Sequence, residues 1–248
     1  MNANPVAIVT AAGRGIGAAC ARGLVERGYR VALMSPSGAS IELARELGGV
    51  GLNGSVTNRD DLEKLVGLAL SEYGRIDGVV NNTGRDPESI EASGPAYDPD
   101  LERSLLDISD DAWQVGVELY LFNVIRMARI VTPVLQKQGG GSIVNISTFA
   151  ALEPRLMFPV SGTLRLALAG YTKLYADRYA REVIRMNNIL PGFVENWPLN
   201  ENVRRAIPLG RAVKMEELAG TVAFLLSPEA GAITGQNILV DGGVNRGI

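Results

Sequence analysis

Three glycines crowd into one short stretch near the start of the chain, Thr10-Ala11-Ala12-Gly13-Arg14-Gly15-Ile16-Gly17. An apolar run, Val6-Ala7-Ile8-Val9, precedes them, and a helix-patterned stretch follows. Glycine lets backbone turn sharply and lie close against a pyrophosphate. The helix N-terminus then offers unpaired N–H groups and a positive dipole end to phosphates. A glycine cluster alone is weak evidence, but the strand–turn–helix setting makes it a strong pointer to a dinucleotide. Thr10, Gly13, Arg14, Gly15, Ile16 and Gly17 are therefore the first candidate cofactor residues.

The second apolar run ends in Ser35-Pro36-Ser37-Gly38. A carboxylate at this point would bond the ribose hydroxyls of NAD, and none is present. Ser35 and Ser37 could instead donate to a 2′-phosphate, and Arg14 could add charge. NADP(H) is therefore favoured over NAD(H). A solvated loop residue is the plainer reading of Arg14.

Other chemistries are closed off by composition. The chain has no histidine, which removes Ser-His-Asp catalysis, a histidine base and most zinc sites; no metal site is expected. Its single cysteine, Cys20, lies among alanines and reads as a small core residue on a helix. A net charge of −3 without a basic stripe argues against nucleic acid and anionic membrane. No apolar run is long enough to span a bilayer, and Met1-Asn2-Ala3-Asn4-Pro5 does not look like a signal peptide. A cytoplasmic location and a small-molecule substrate are expected.

The elements that must position the glycine loop follow from periodicity. Strands are expected at 6–9, 31–34, 51–52, 76–80, 142–146, 183–190 and 237–240. Helices are expected at 15–27, 41–47, 60–73, 110–137, 162–181 and 215–226. Apolar runs alternating with helices imply a parallel sheet covered on both faces, so the fold class is α/β, a doubly wound Rossmann fold forming a single domain over 1–248. Residues 85–109 and 195–208 read as loops over the carboxyl ends of the strands, where such folds bind ligands.

The same motifs resemble those of the short-chain dehydrogenase/reductase family. Residues 10–17 look like its Thr-Gly-x-x-x-Gly-Ile-Gly, with Ala11 for the first glycine, a small change. Asn81-Asn82-Thr83-Gly84 resembles its Asn-Asn-Ala-Gly, and Val144-Asn145-Ile146-Ser147 the strand leading to its catalytic serine. Pro191-Gly192-Phe193-Val194 is similar to the turn beside the nicotinamide, and Ser55-Val56 to the Asp-Val beside the adenine. Ile233-Thr234-Gly235-Gln236 and Val240-Asp241-Gly242-Gly243 match its C-terminal signature. The resemblance adds Ser55, Val56, Asn81, Asn82, Gly84, Pro191, Gly192 and Val194 to the cofactor residues. It also implies a homo-oligomer, tetramer or dimer.

The family's catalytic positions hold other residues. Counting back from Pro191 and forward from Asn145 places its tyrosine at Ser161 and its lysine at Arg165; its serine falls at Thr148 and its asparagine at Tyr120. Thr148 keeps a hydroxyl. Arg165 keeps a charge that can bond the ribose, but it cannot deprotonate. Ser161 is a poor proton donor, its hydroxyl being far less acidic than a phenol. Tyr120 is the sharper candidate for the proton, with its ring directed over Ser161 and its phenol near Arg165; the plainer reading is a packed tyrosine. Phe158-Pro159-Val160, Phe193 and Trp197 suggest an apolar pocket wall.

Three functions fit these residues. The leading one is an NAD(P)-dependent oxidoreductase acting on a carbonyl or alcohol with altered proton transfer. The second is a cofactor-binding protein with weak or lost activity, a sensor or structural subunit. The third is a dehalogenase-like lyase on the same fold, which ranks last because such enzymes keep the tyrosine and remodel the glycine loop.

Overall fold

Strand residues alternate between two apolar layers, which is why each strand reads as a continuous apolar run. Ala7 and Val9 pack on one side of the sheet and Ile8 on the other; Val31 and Leu33 face the first side, Ala32 and Met34 the second. The computed structural model describes residues 4–83, 104–197 and 199–247. Gly84 and residues 85–103 of the first expected loop lie outside them.

The strands β1 (Val6–Thr10), β2 (Arg30–Ser35), β3 (Val50–Asn53), β4 (Gly78–Asn81), β5 (Gly141–Ile146), β6 (Ile184–Pro191) and β7 (Asn237–Val240) form one parallel sheet. Its order is β3-β2-β1-β4-β5-β6-β7. Helices α1 (Gly15–Val25), α2 (Ala39–Glu46) and α8 (Met215–Leu226) supply the apolar layer on one face. Helices α3 (Arg59–Tyr73), α5 (Asn123–Gln138) and α6 (Pro159–Tyr179) cover the other. Two short helices, α4 (Asp110–Val117) and α7 (Glu201–Ala206), are also present among the described residues. Strand β1 has β2 on one side and β4 on the other, so the winding reverses between β1 and β4. The crevice beyond the carboxyl ends of these two strands is where this fold receives ligands.

Local chemistry explains the element ends. The Asn58 side chain accepts from the N–H groups of Asp60 and Asp61 to start α3, and Gly74, at φ 73°, ends it. Inside α3, Gly67 has an exposed site with nothing near a Cβ. Gly67→Ala therefore stabilises the protein by about 1 kcal/mol, read as a higher denaturation midpoint with unchanged slope.

A line of amides, buried except for the half-buried Asn237, ties the sheet to α6. Asn81, Asn145, Asn188 and Asn237 stand in register on β4 to β7. Asn81 donates to Asn145 at 2.9 Å, Asn145 to Asn188 at 2.9 Å, and Asn188 to Asn237 at 2.8 Å. Thr172 of α6 joins the line, donating to Asn188 at 3.0 Å. Buried amides that all find partners fix one register and one helix position, since a slip would leave them unpaired. The helix so held carries Ser161 and Arg165.

Two expectations need correcting. The helix expected over 110–137 is interrupted by a wider π turn, Glu118–Phe122, which carries Tyr120. The 195–208 segment is not all loop, because Asn200 caps α7 by accepting from the Val203 N–H at 2.9 Å. No described helix is long and apolar enough to cross a membrane.

Candidate active site

The glycine loop is bound to the end of β4 before any ligand arrives. Thr10 Oγ1 donates to the Asn82 carbonyl at 2.7 Å and accepts the Asn82 N–H at 3.0 Å. The Asn82 side chain donates to the Ala11 carbonyl at 3.2 Å. The loop packs closely enough that glycine is required at two places. A Cβ on Gly17 would lie 2.5 Å from the Ala11 carbonyl oxygen and 2.7 Å from Asn82 Nδ2, and one on Gly13 would lie 2.9 Å from Ser35 Oγ. No side chain caps the first turn of α1, so its N–H groups stay available, as a phosphate cradle needs.

Ala11 for glycine is not the small change expected from sequence. Its φ is +47°, in the left-handed region where a Cβ crowds the following carbonyl. Ala11→Gly removes that strain and stabilises the protein by about 1 kcal/mol, after allowing for glycine's greater freedom when unfolded. Thermal unfolding of the variant checks this.

The turn after β2 also differs from expectation. Ser35 is buried, donates to the Ser37 carbonyl at 2.8 Å and accepts the Ser40 N–H at 3.3 Å. Its one proton is therefore spent inside the turn rather than presented to a 2′-phosphate. Ser37 and Arg14 are exposed. The turn after β3 is held from two sides. The Ser55 N–H donates to Asp61 at 3.1 Å, which holds that carboxyl below its ordinary pKa with help from Lys64, while Ser55 Oγ pairs with Thr57 Oγ1 at 2.8 Å. Arg126 of α5, paired with Glu118, donates to the Thr57 carbonyl at 3.0 Å. Val56 beside them is buried.

At the far side, Gly192 passes so close to β7 that a Cβ would lie 2.7 Å from the Asp241 backbone. Val194 bridges to Val213, and Glu195 accepts the Met215 N–H at 2.9 Å at the start of α8. That anchoring carries Asn196 to the glycine loop, its Nδ2 3.4 Å from where a Gly15 Cβ would sit. Sequence reasoning flagged this segment as a loop but did not single out Asn196. Its signal was weak, one polar residue a few positions after a Pro-Gly pair.

The residues at the catalytic positions come together around the start of α6. Thr148 follows β5, is partly exposed, and accepts the Ala150 N–H at 3.4 Å. Ser161 is partly exposed on the first turn of α6, and Arg165 lies one turn later on the same face. Arg165 is only 8 % exposed. Its Nη1 donates to the Ile146 carbonyl, and its guanidinium carbon sits 4.7 Å from the centre of the Tyr120 ring. Burial pulls its pKa down to about 10, against an upward pull from Tyr120. Tyr120 itself is buried among Ile108, Ala112 and Val160. It thus meets Arg165 with its ring face and is packed, as the plainer reading expected.

The expected wall residues Phe158, Phe193 and Trp197 fall in one aromatic cluster, but Phe149 and Phe193 in it are only 3 % and 4 % exposed and belong to the core. Phe158 lies 6.3 Å from Trp197, and Phe149 lies 5.5 Å from Phe193 and 6.2 Å from Phe158. Phe149 was missed in the sequence, and Val160 belongs instead to the Tyr120 cluster, tight against Gly116. Cys20 is fully buried, with its thiol pushed up to about 12 by desolvation. It should therefore resist alkylation at pH 8 in the folded protein and react only on unfolding; mass spectrometry reads this.

Comparison with known proteins gives the family and the fold. The profile of the family described as Enoyl-(Acyl carrier protein) reductase matches residues 10–245. Dehydrogenase/reductase SDR family member 4 of Oryctolagus cuniculus is 32% identical, covering 97% of this chain and 94% of its own. The chain belongs to the short-chain dehydrogenase/reductase family. Within it, the 3-oxoacyl-[acyl-carrier-protein] reductase of Synechocystis is 31% identical over 96% of both chains. The 7alpha-hydroxysteroid dehydrogenase of Bacteroides fragilis is 30% identical over 97% of this chain and 94% of its own. A crystal structure of an actinorhodin polyketide ketoreductase variant with NADPH superposes with a TM-score of 0.86, at 28% identity over 98% of both chains. These family relatives carry oxidoreductase names.

Proposed function

We infer that the chain is an NAD(P)-dependent oxidoreductase that interconverts a carbonyl and an alcohol on a small molecule, with NADP(H) preferred. The observation that carries this reading is the glycine cradle. Gly13 and Gly17 leave no room for a side chain, the first turn of α1 is uncapped, and both lie at the crevice where the winding reverses. When bound, the dinucleotide supplies or takes up hydride. Thr10, Gly13, Gly15, Ile16, Gly17 and Asn196 bracket its pyrophosphate. Ser37 and Arg14 meet a 2′-phosphate, and Ser55 and Val56 flank the adenine. Asn81, Asn82, Pro191, Gly192 and Val194 shape the floor beneath the nicotinamide.

On the substrate side, the hydroxyls of Thr148 and Ser161 hold the oxygen. Arg165 places a fixed positive charge near the ribose and the developing alkoxide, where a preorganised charge acts most strongly. The proton is relayed from solvent through water, because neither Thr148 nor Ser161 is a general acid with a pKa near the working pH. NADPH consumption against a panel of ketones and keto acids, followed by nicotinamide absorbance, tests this. Turnover supports the reading.

A second reading, cofactor binding without turnover, is favoured by Ser161 and by the engagement of Arg165 with the Ile146 carbonyl and Tyr120. Tight NADPH binding with no turnover on any substrate would select it. We also propose a homo-oligomer. Leu166 and Leu174 on α6 are 50% and 70% exposed, and Tyr171, Tyr175 and Tyr179 line an open groove between α5 and α6.

A further inference from the structure

Arg165 is a buried cation. It is more than nine-tenths buried, yet among the described residues it pairs with no carboxylate. A guanidinium has five N–H donors. Here Nη1 donates to the Ile146 carbonyl, the flat face rests on Tyr120, and the remaining donors find no acceptor among the described residues. Removing a charge from water is costly, and one carbonyl with one aromatic face returns only part of that cost. Burial depresses its pKa, the sign that its charged form is held at a cost in the folded state. A second buried polar group on the same segment is also unspent. Ser147 directly follows Ile146, and its buried Oγ has no hydrogen-bond partner among the described residues.

A chain that only needed to fold would fill this site with an apolar side chain. The geometry points to an anion subsite, in which Arg165, braced by Tyr120 and the Ile146 carbonyl, receives a carboxylate carried by the substrate. This deepens the oxidoreductase reading by naming the substrate class, an organic acid. Tyr120 is then a positioning residue that works through its ring rather than its hydroxyl.

The test compares wild type, Arg165→Met and Tyr120→Phe by isothermal titration with phenylpyruvate and phenylacetate, and with the methyl ester of each. Wild type is expected to bind the acids at least about tenfold more tightly than the esters, the loss of one charge-assisted pairing. Arg165→Met loses that preference, and Tyr120→Phe keeps it. Without ligand, Arg165→Met unfolds at an equal or higher denaturant concentration than wild type, because it replaces an unmatched charge with an apolar chain of similar volume. A clearly less stable or unfolded Arg165→Met would make the charge structural and overturn the proposal. Equal binding of acids and esters, or no binding of either acid, overturns it as well. None of these readouts needs hydride transfer. Acid preference without NADPH turnover would therefore sink the oxidoreductase reading and leave the anion subsite standing.

Discussion

Gly17→Val lowers the affinity for NADPH by about ten- to a hundredfold while leaving the protein folded. The added Cβ alone would sit 2.5 Å from the Ala11 carbonyl oxygen and 2.7 Å from Asn82 Nδ2. Neither neighbour is the free end of a flexible chain. Ala11 is backbone already held at positive φ, and the Asn82 side chain is bonded to that same carbonyl. The loop has to move, and forcing bulk into such a contact costs about 1–3 kcal/mol, which is the stated loss if it falls on the ligand-bound form. The sheet and its two apolar layers are not touched, so the variant still unfolds cooperatively. Gly67→Ala, at an open helical site, is the control and leaves NADPH affinity unchanged. Unaltered affinity in Gly17→Val would mean that the nucleotide does not lie on this loop.

Ser161→Tyr raises the rate of carbonyl reduction by about 10²–10⁴-fold, the usual contribution of a positioned general acid. Ser161 is partly exposed at the start of α6, so a ring has a way out toward the crevice. Arg165 lies one turn further on the same face, and its charge would lower the pKa of a phenol placed before it. The sign of the pH dependence follows from that. A tyrosine acid must be protonated to donate, so reduction by the variant falls as pH rises through the phenol pKa. Wild type lacks that descending limb. Initial rates with NADPH across the alkaline range read both effects. No gain in rate and no new limb would mean that proton supply does not limit this site.

The strands and the long helices were legible because parallel strands, buried on both faces, leave uninterrupted apolar runs, and the helices leave periodic ones. The glycine loop was legible because its chemistry is backbone chemistry and glycine marks it. What could not be read depended on dihedrals and on side-chain direction. Ala11 looks harmless as a letter, and its cost lies in a φ of +47°. Ser35 has the right chemistry for a phosphate, but its single proton is spent on the Ser37 carbonyl. The π turn at Glu118–Phe122 has no sequence signal of its own, and it sits where Tyr120 meets Arg165 with its ring. Val160 adjoins Phe158 and Pro159 in sequence, yet helix geometry sends it to another cluster. Asn196 reaches the glycine loop only because Glu195 and Val194 are pinned to the start of α8, a contact made across distant segments.

The most direct measurement is a fluorescence titration of the purified, cofactor-free protein with NADPH and, separately, NADH. Saturable binding of both, tighter for NADPH, is the expected result, because the turn after β2 offers Ser37 and no carboxylate, and the glycine loop adds the exposed Arg14. Tighter binding of NADH would contradict the assignment of those two residues. Failure of the folded protein to bind either nucleotide would contradict the dinucleotide site itself, and with it the oxidoreductase function.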